Sequence, residues 1–77
     1  MSAILIPMDM WDDDSEGAIS IWYYQTGDSV TAGTVVAEVM NEKVSNELTA
    51  PVSGTLEIII GADQAVNKGD EIGRINP

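Results

Sequence analysis

Short runs of β-branched and aliphatic residues recur along the chain, at positions 3–6, 18–24, 34–40, 44–48, 54–60 and 71–75. Clusters of turn formers separate them, among them Gln25-Thr26-Gly27-Asp28, Thr31-Ala32-Gly33, Ala50-Pro51-Val52-Ser53-Gly54 and Asn67-Lys68-Gly69-Asp70. Runs of this length bounded by Gly, Pro, Asn and Asp predict strands. No window carries a helical period; the nearest, 62–68, is too short and too rich in turn residues. The pattern predicts an all-β domain, a small sandwich or barrel.

A faint internal repeat refines this. Residues 27–39 lie over residues 63–75 with Val30 on Val66, Gly33 on Gly69, Val36 on Ile72 and Val39 on Ile75. Four matches in thirteen positions are weak by number, but all obey one pattern, Val-x-x-Gly-x-x-[Val/Ile]-x-x-[Val/Ile]. A glycine at one place in each half suits a turn that needs positive φ. Gly17 and Gly54 open the two halves alike, each leading into an apolar run. Two halves that bury their apolar sides against each other predict a pseudo-twofold sandwich.

The chain has 77 residues, enough for a single domain over 1–77. A domain this small buries roughly 60% of its unfolded surface, and a deep substrate pocket has little room. There is no histidine and no cysteine, so the usual acid–base shuttle, a thiol nucleophile, a disulfide and a thiolate metal site are all missing. The expectation is a domain without catalysis of its own. The absent cysteines fit a reducing cytoplasm. No secretory leader is visible, and no stretch approaches the ~20 apolar residues of a membrane span. A net charge of −10 argues against nucleic acid and anionic membranes as partners, favours a basic protein surface, and suggests a monomer.

Only three basic residues are present, and one of them, Lys43, sits in the polar turn Asn41-Glu42-Lys43 between two strand-like runs. It lies near the middle of the sequence, where the two halves join. A solvated turn lysine is the plain reading of it; an amine displayed for modification is the sharper one.

In order, Glu16-Gly17 with Ile19-x-x-Trp22, Gly27-Asp28-x-Val30, Gly33-x-x-Val36-x-x-Val39, Asn41-Glu42-Lys43-Val44, Ala50-Pro51-x-x-Gly54 and Val66-x-x-Gly69-x-x-Ile72-x-x-Ile75 cover nearly the whole chain. Together they resemble the biotinyl/lipoyl-attachment domain family, and its lipoyl branch in particular. The resemblance implies a flattened barrel-sandwich hybrid of two short antiparallel sheets. It implies lipoate held by an amide bond on Lys43, with Glu42 and Val44 as flanking recognition residues. Biotin carriers usually have Met on both sides of the lysine, whereas lipoyl domains usually have an acidic residue before it and a small or β-branched one after. The Glu42-Lys43-Val44 triplet therefore favours lipoate over biotin, although Glu stands where Asp is usual.

The function so implied is that of a carrier, shuttling acyl groups or electrons between enzymes of a 2-oxo acid or acetoin dehydrogenase-type system. Its partners would be a lipoate–protein ligase or lipoyl transferase, and the decarboxylase, acyltransferase and dihydrolipoyl dehydrogenase components. The alternatives are a biotin carboxyl carrier and an unmodified interaction module of the same fold. The resemblance also brings the first loop close to the lysine, which makes Met8, Asp9, Met10, Trp11 and Asp12 candidate partner-recognition residues. For Trp11 and its methionines, covering the small core is the competing fate. The acidic run Asp12-Asp13-Asp14 with Glu16 lacks the alternating ligand spacing of a calcium loop, so no metal site is expected.

Overall fold

A computed structural model describes residues 2–12 and 15–77. Among these residues there are eight strands and no helix: β1 (Ser2–Leu5), β2 (Gly17–Trp22), β3 (Ser29–Val30), β4 (Val35–Met40), β5 (Ser45–Thr49), β6 (Gly54–Ile58), β7 (Ala65–Val66) and β8 (Glu71–Asn76). They form two four-stranded sheets, ordered β1-β8-β6-β3 and β5-β4-β2-β7, with every pairing antiparallel. The molecule is a flattened body of 33 × 20 × 17 Å. All six predicted runs are strands. The two-residue β3 and β7 are additions, too short to show any alternation in sequence.

The repeat expected from the sequence is the symmetry of the fold. Replacing β1, β2, β3 and β4 by β5, β6, β7 and β8, and the reverse, converts one sheet order into the other. Val30 and Val66 fill equivalent two-residue strands, and both are buried. The Thr31–Thr34 and Asn67–Asp70 turns close with the same backbone bond, 3.0 and 3.1 Å. At their ends, the Gly33 and Gly69 amides reach across to the carbonyls of Ala50 and Ile6, at φ values of 87° and 91°. Each sheet also carries a register shift at the equivalent place, between Val35 and Ala37 and opposite it between Ile4 and Leu5.

Gly17 and Gly54 earn their shared identity through close approach. A Cβ on either would strike the backbone of a neighbouring strand, the Met40 carbonyl for Gly17 and the Asn76 carbonyl for Gly54. Between the sheets lies a continuous apolar core with Ile4, Ile19, Val36, Val39, Leu56, Ile72 and Ile75 almost fully enclosed. Their alternation along the strands sends one face inward and the other to solvent.

The symmetry breaks in one place. Pro7 and Pro51 are counterparts, but residues 8–16 follow the first and only 52–53 follow the second. The first connection is thus an insertion into an otherwise repeated frame, and it packs beside the turn that holds Lys43.

Candidate functional site

Lys43 sits at the end of the hairpin between β4 and β5. The last ladder pair is Met40 with Ser45, and beyond it the Asn41 amide donates to the Val44 carbonyl at 2.9 Å. The Val44 amide does not complete that pair through backbone; it donates to the side-chain Oδ1 of Asn41 at 2.9 Å, and the Lys43 amide donates to the same oxygen at 3.0 Å. Glu42 and Lys43 form the exposed tip. Val44 was expected to begin a strand. It is an exposed turn residue instead, because its amide is taken by the Asn41 side chain and the ladder starts only at Ser45.

The first loop closes over the core beside this tip. Trp11 is 5% exposed, with its Nε1–H donating to the Ser15 carbonyl at 2.8 Å and its ring against Gly17. Among the described residues, three side-chain bonds from elsewhere in the fold moor the loop. Asn41 Nδ2 donates to Ser15 Oγ at 3.2 Å, Asn46 Nδ2 to the Met10 carbonyl at 3.4 Å, and Lys68 Nζ to the Trp11 carbonyl at 3.1 Å. Loop and hairpin together enclose a shallow cavity of about 180 Å³ lined by Met10, Trp11, Asp12, Asn41, Lys43 and Val44.

The residues singled out from the sequence therefore separate into two groups. Lys43, Val44, Met10, Trp11 and Asp12 meet at one cavity, with Glu42 on the exposed tip above. Met8 and Asp9 are exposed outside it, Met8 turned toward Gly69. Of the two fates considered for Trp11, the structure gives the core. Asp13 and Asp14 of the acidic run lie outside the described residues. Asn41, Ser15 and Lys68 were not singled out as site residues. Asn41 carried a signal, since an Asn that opens a tight turn often accepts bonds from the amides that follow it; a distant Lys68 carried none.

Chemically the site offers one thing, an exposed primary amine on a tip whose backbone is tied down. Among the described residues it holds no nucleophile–base pair, and no group of three potential ligands could hold a metal ion. Such an amine suits acylation. A group attached there would be carried at the end of a long side chain, and the fixed turn would define where that chain is rooted.

Comparisons with known proteins show the family and the fold. The family described as Biotin-requiring enzyme, the biotin/lipoyl family, matches residues 6–75. Over 74 residues the chain is 39% identical to the dihydrolipoyllysine-residue succinyltransferase component of the 2-oxoglutarate dehydrogenase complex of Rickettsia bellii (strain RML369-C), covering 95% of this chain and 18% of that protein. The corresponding component of Bacillus subtilis (strain 168) is 38% identical over 77 residues, covering 99% of this chain and 18% of that protein. The dihydrolipoyllysine-residue acetyltransferase component of the pyruvate dehydrogenase complex of Staphylococcus epidermidis (strain ATCC 35984) is 35% identical over 69 residues, 88% of this chain and 16% of that one. The chain thus spans less than a fifth of the length of these relatives. In fold it is similar to the solution structure of the lipoyl domain of the 2-oxoglutarate dehydrogenase complex from Azotobacter vinelandii, with a TM-score of 0.75, 22% identity, and coverage of 97% of this chain and 98% of that one.

Proposed function

This chain belongs to the biotinyl/lipoyl-attachment family, and from that premise we propose that it is a lipoyl carrier domain with Lys43 as its attachment residue. The observation that carries the proposal is the position of Lys43, an exposed lysine on the β4–β5 turn at the junction of two symmetric halves. Lipoate is the cofactor of this reading because the relatives above are dihydrolipoyllysine-residue transferases and because Glu42 and Val44, not methionines, flank the lysine.

Attachment needs the Lys43 Nζ to attack the activated carboxyl carbon of lipoate. The new C–N amide bond replaces the bond to the activating group, which departs as AMP if a ligase has used ATP, and the amine gives up its proton. The residues present fit such a group: the side chain is exposed, the turn beneath it is fixed, and no cysteine competes for the chemistry. Once bound, lipoate supplies a reversible dithiol–disulfide couple able to take up an acyl group and electrons. The chain's own part is to root the arm, keep Lys43 at the tip, and hold the first loop beside it. Catalysis belongs to partner enzymes. In this reading those are a lipoate–protein ligase or lipoyl transferase, and the decarboxylase, acyltransferase and dihydrolipoyl dehydrogenase of a 2-oxo acid dehydrogenase-type system in the cytoplasm. Residues 1–77 act as one monomeric module.

Incubating the protein with ATP, lipoate and a lipoate–protein ligase, with biotin and a biotin ligase in parallel, tests this by intact mass. One lipoyl increment and no biotinyl increment is expected. A biotinyl increment alone, or neither beside a modified control domain, would overturn the reading.

A further inference from the structure

We propose that Asn41 is the positioning residue for modification of Lys43, and that the two ends of its side-chain amide do separable jobs: the oxygen sets the tip, and the nitrogen ties that tip to the first loop. This inference rests on the reading of Lys43 as the attachment lysine.

The tip poses a backbone problem. A two-residue hairpin loop ordinarily uses a type I′ or II′ turn, with positive φ at one or both central residues, usually supplied by Gly or Asn. Here the central residues are Glu42 and Lys43. Asp63 is the one non-glycine residue with positive φ among those described, so neither tip residue adopts that conformation. A turn with negative φ at both centres twists against its strands and spoils the closing pair. Asn41 resolves this. Its Oδ1 reaches forward to accept the Lys43 and Val44 amides at 3.0 and 2.9 Å, standing in for a main-chain carbonyl, while its own amide still donates to Val44. The lysine thereby sits at the apex without backbone strain.

Two amide donors require an oxygen facing the tip, so the orientation of the Asn41 amide is forced, and its Nδ2 must point away. It points to Ser15 Oγ, 3.2 Å off. Ser15 in turn accepts the indole N–H of buried Trp11 through its carbonyl. One side chain therefore links the lysine tip to the anchor of the first loop. An enzyme acylating Nζ needs the lysine rooted at a defined place, which the turn provides, and Asn41 sets the turn. Glu42 and Val44 flank the lysine in sequence but are exposed.

The two jobs part under substitution. Asn41→Ala removes both, Asn41→Asp keeps the acceptor and loses the donor, and Ser15→Ala removes the hydroxyl that accepts the tie while leaving the Asn41 oxygen in place. Each variant would be followed by kcat/KM with ATP, lipoate and a lipoate–protein ligase. Amide exchange at Lys43 and Val44, exchange of the Trp11 indole proton, and acetylation of Lys43 by a small activated ester complete the readouts.

For Asn41→Ala, amide exchange at the tip should rise about tenfold, near the worth of one hydrogen bond, and kcat/KM should fall about tenfold. Acetylation by the small ester should not change, since the amine itself stays exposed. Asn41→Asp and Ser15→Ala should be lipoylated within about twofold of the parent, while indole exchange at Trp11 quickens. Lipoylation of Asn41→Ala at the parental rate, or an equal loss in Asn41→Asp or Ser15→Ala, would overturn the proposal. If the parent itself takes no lipoate, the carrier reading fails. The exchange data then decide Asn41 alone, and unchanged exchange in Asn41→Ala overturns its role in the turn.

Discussion

The ammonium of Lys68 lies 3.1 Å from the carbonyl oxygen of Trp11, joining the β7–β8 turn to the first loop across 57 positions of sequence. Of the two lysines in the chain, one is displayed at a tip and the other is spent on holding the neighbouring loop. A charge-assisted bond at a half-buried site is worth more than a surface ion pair. Lys68→Met should cost about 1–2 kcal/mol in urea unfolding and speed exchange of the Trp11 indole proton, with Lys68→Arg closer to the parent. Equal indole exchange in Lys68→Met and the parent would remove this role.

Trp11 is the heaviest element of that loop, and Gly17 is shaped to receive it. A Cβ on Gly17 would come within 2.7 Å of the indole and 2.9 Å of the Met40 carbonyl. Gly17→Ala should therefore lose about 1–3 kcal/mol through overpacking. Gly27 has open space around it but φ of 98°, so Gly27→Ala should lose only about 1–2 kcal/mol, all of it backbone strain. A domain of this length holds about 4–12 kcal/mol in total, so each loss is readable in urea midpoints. A Gly17→Ala variant that unfolds no earlier than the parent would contradict the packing described.

The strand pattern and the repeat were legible because both rest on local chemistry. Apolar alternation marks the long strands, and glycine marks the turns at Gly33 and Gly69. The resemblance in turn pointed to Lys43. What escaped has physical causes. Strands β3 and β7 have two residues each, and no periodicity shows over two residues. Val44 reads as strand by propensity, but the Asn41 side chain claims its amide. The fate of Trp11 depended on whether the loop folds inward, which Lys68, Asn46 and Gly17 decide from far along the chain or across the fold.

Glu38 and Glu47 stand directly opposite one another on adjacent strands of the β5-β4-β2-β7 sheet. Like charges at a cross-strand pair destabilise, and the net charge of the chain adds to the repulsion. Glu47→Arg should stabilise by about 0.2–1 kcal/mol at low salt, and the gain should shrink as salt screens the pair. Thermal melts at two ionic strengths decide it; no gain at low salt would mean the carboxylates diverge in solution.

The guanidinium of Arg74 grips Glu71 through two bonds, Nε to Oε2 at 3.0 Å and Nη2 to Oε1 at 3.3 Å. That hydrogen bonding, aided by the positive charge and opposed by desolvation, holds the Glu71 carboxyl below its ordinary value. A carboxyl depressed in the folded state stabilises at neutral pH, and the contribution is lost as pH falls through its folded value. The pair is partly exposed, so the effect is small. A carboxyl-carbon NMR titration should find Glu71 titrating at lower pH in the parent than in Arg74→Gln, where it should return to the ordinary range. Glu71 titrating at the same pH in the parent and in Arg74→Gln would contradict the pairing.

Lys43 is the residue on which the functional account turns, and Lys68 is its built-in control. Peptide-resolved mass spectrometry after treatment with lipoate, ATP and a lipoate–protein ligase should be run on the parent, Lys43→Arg and Lys68→Arg. The account predicts a lipoyl group on the Lys43 peptide of the parent and of Lys68→Arg, and none on Lys43→Arg. A lipoyl group on Lys68, or any on Lys43→Arg, would contradict it.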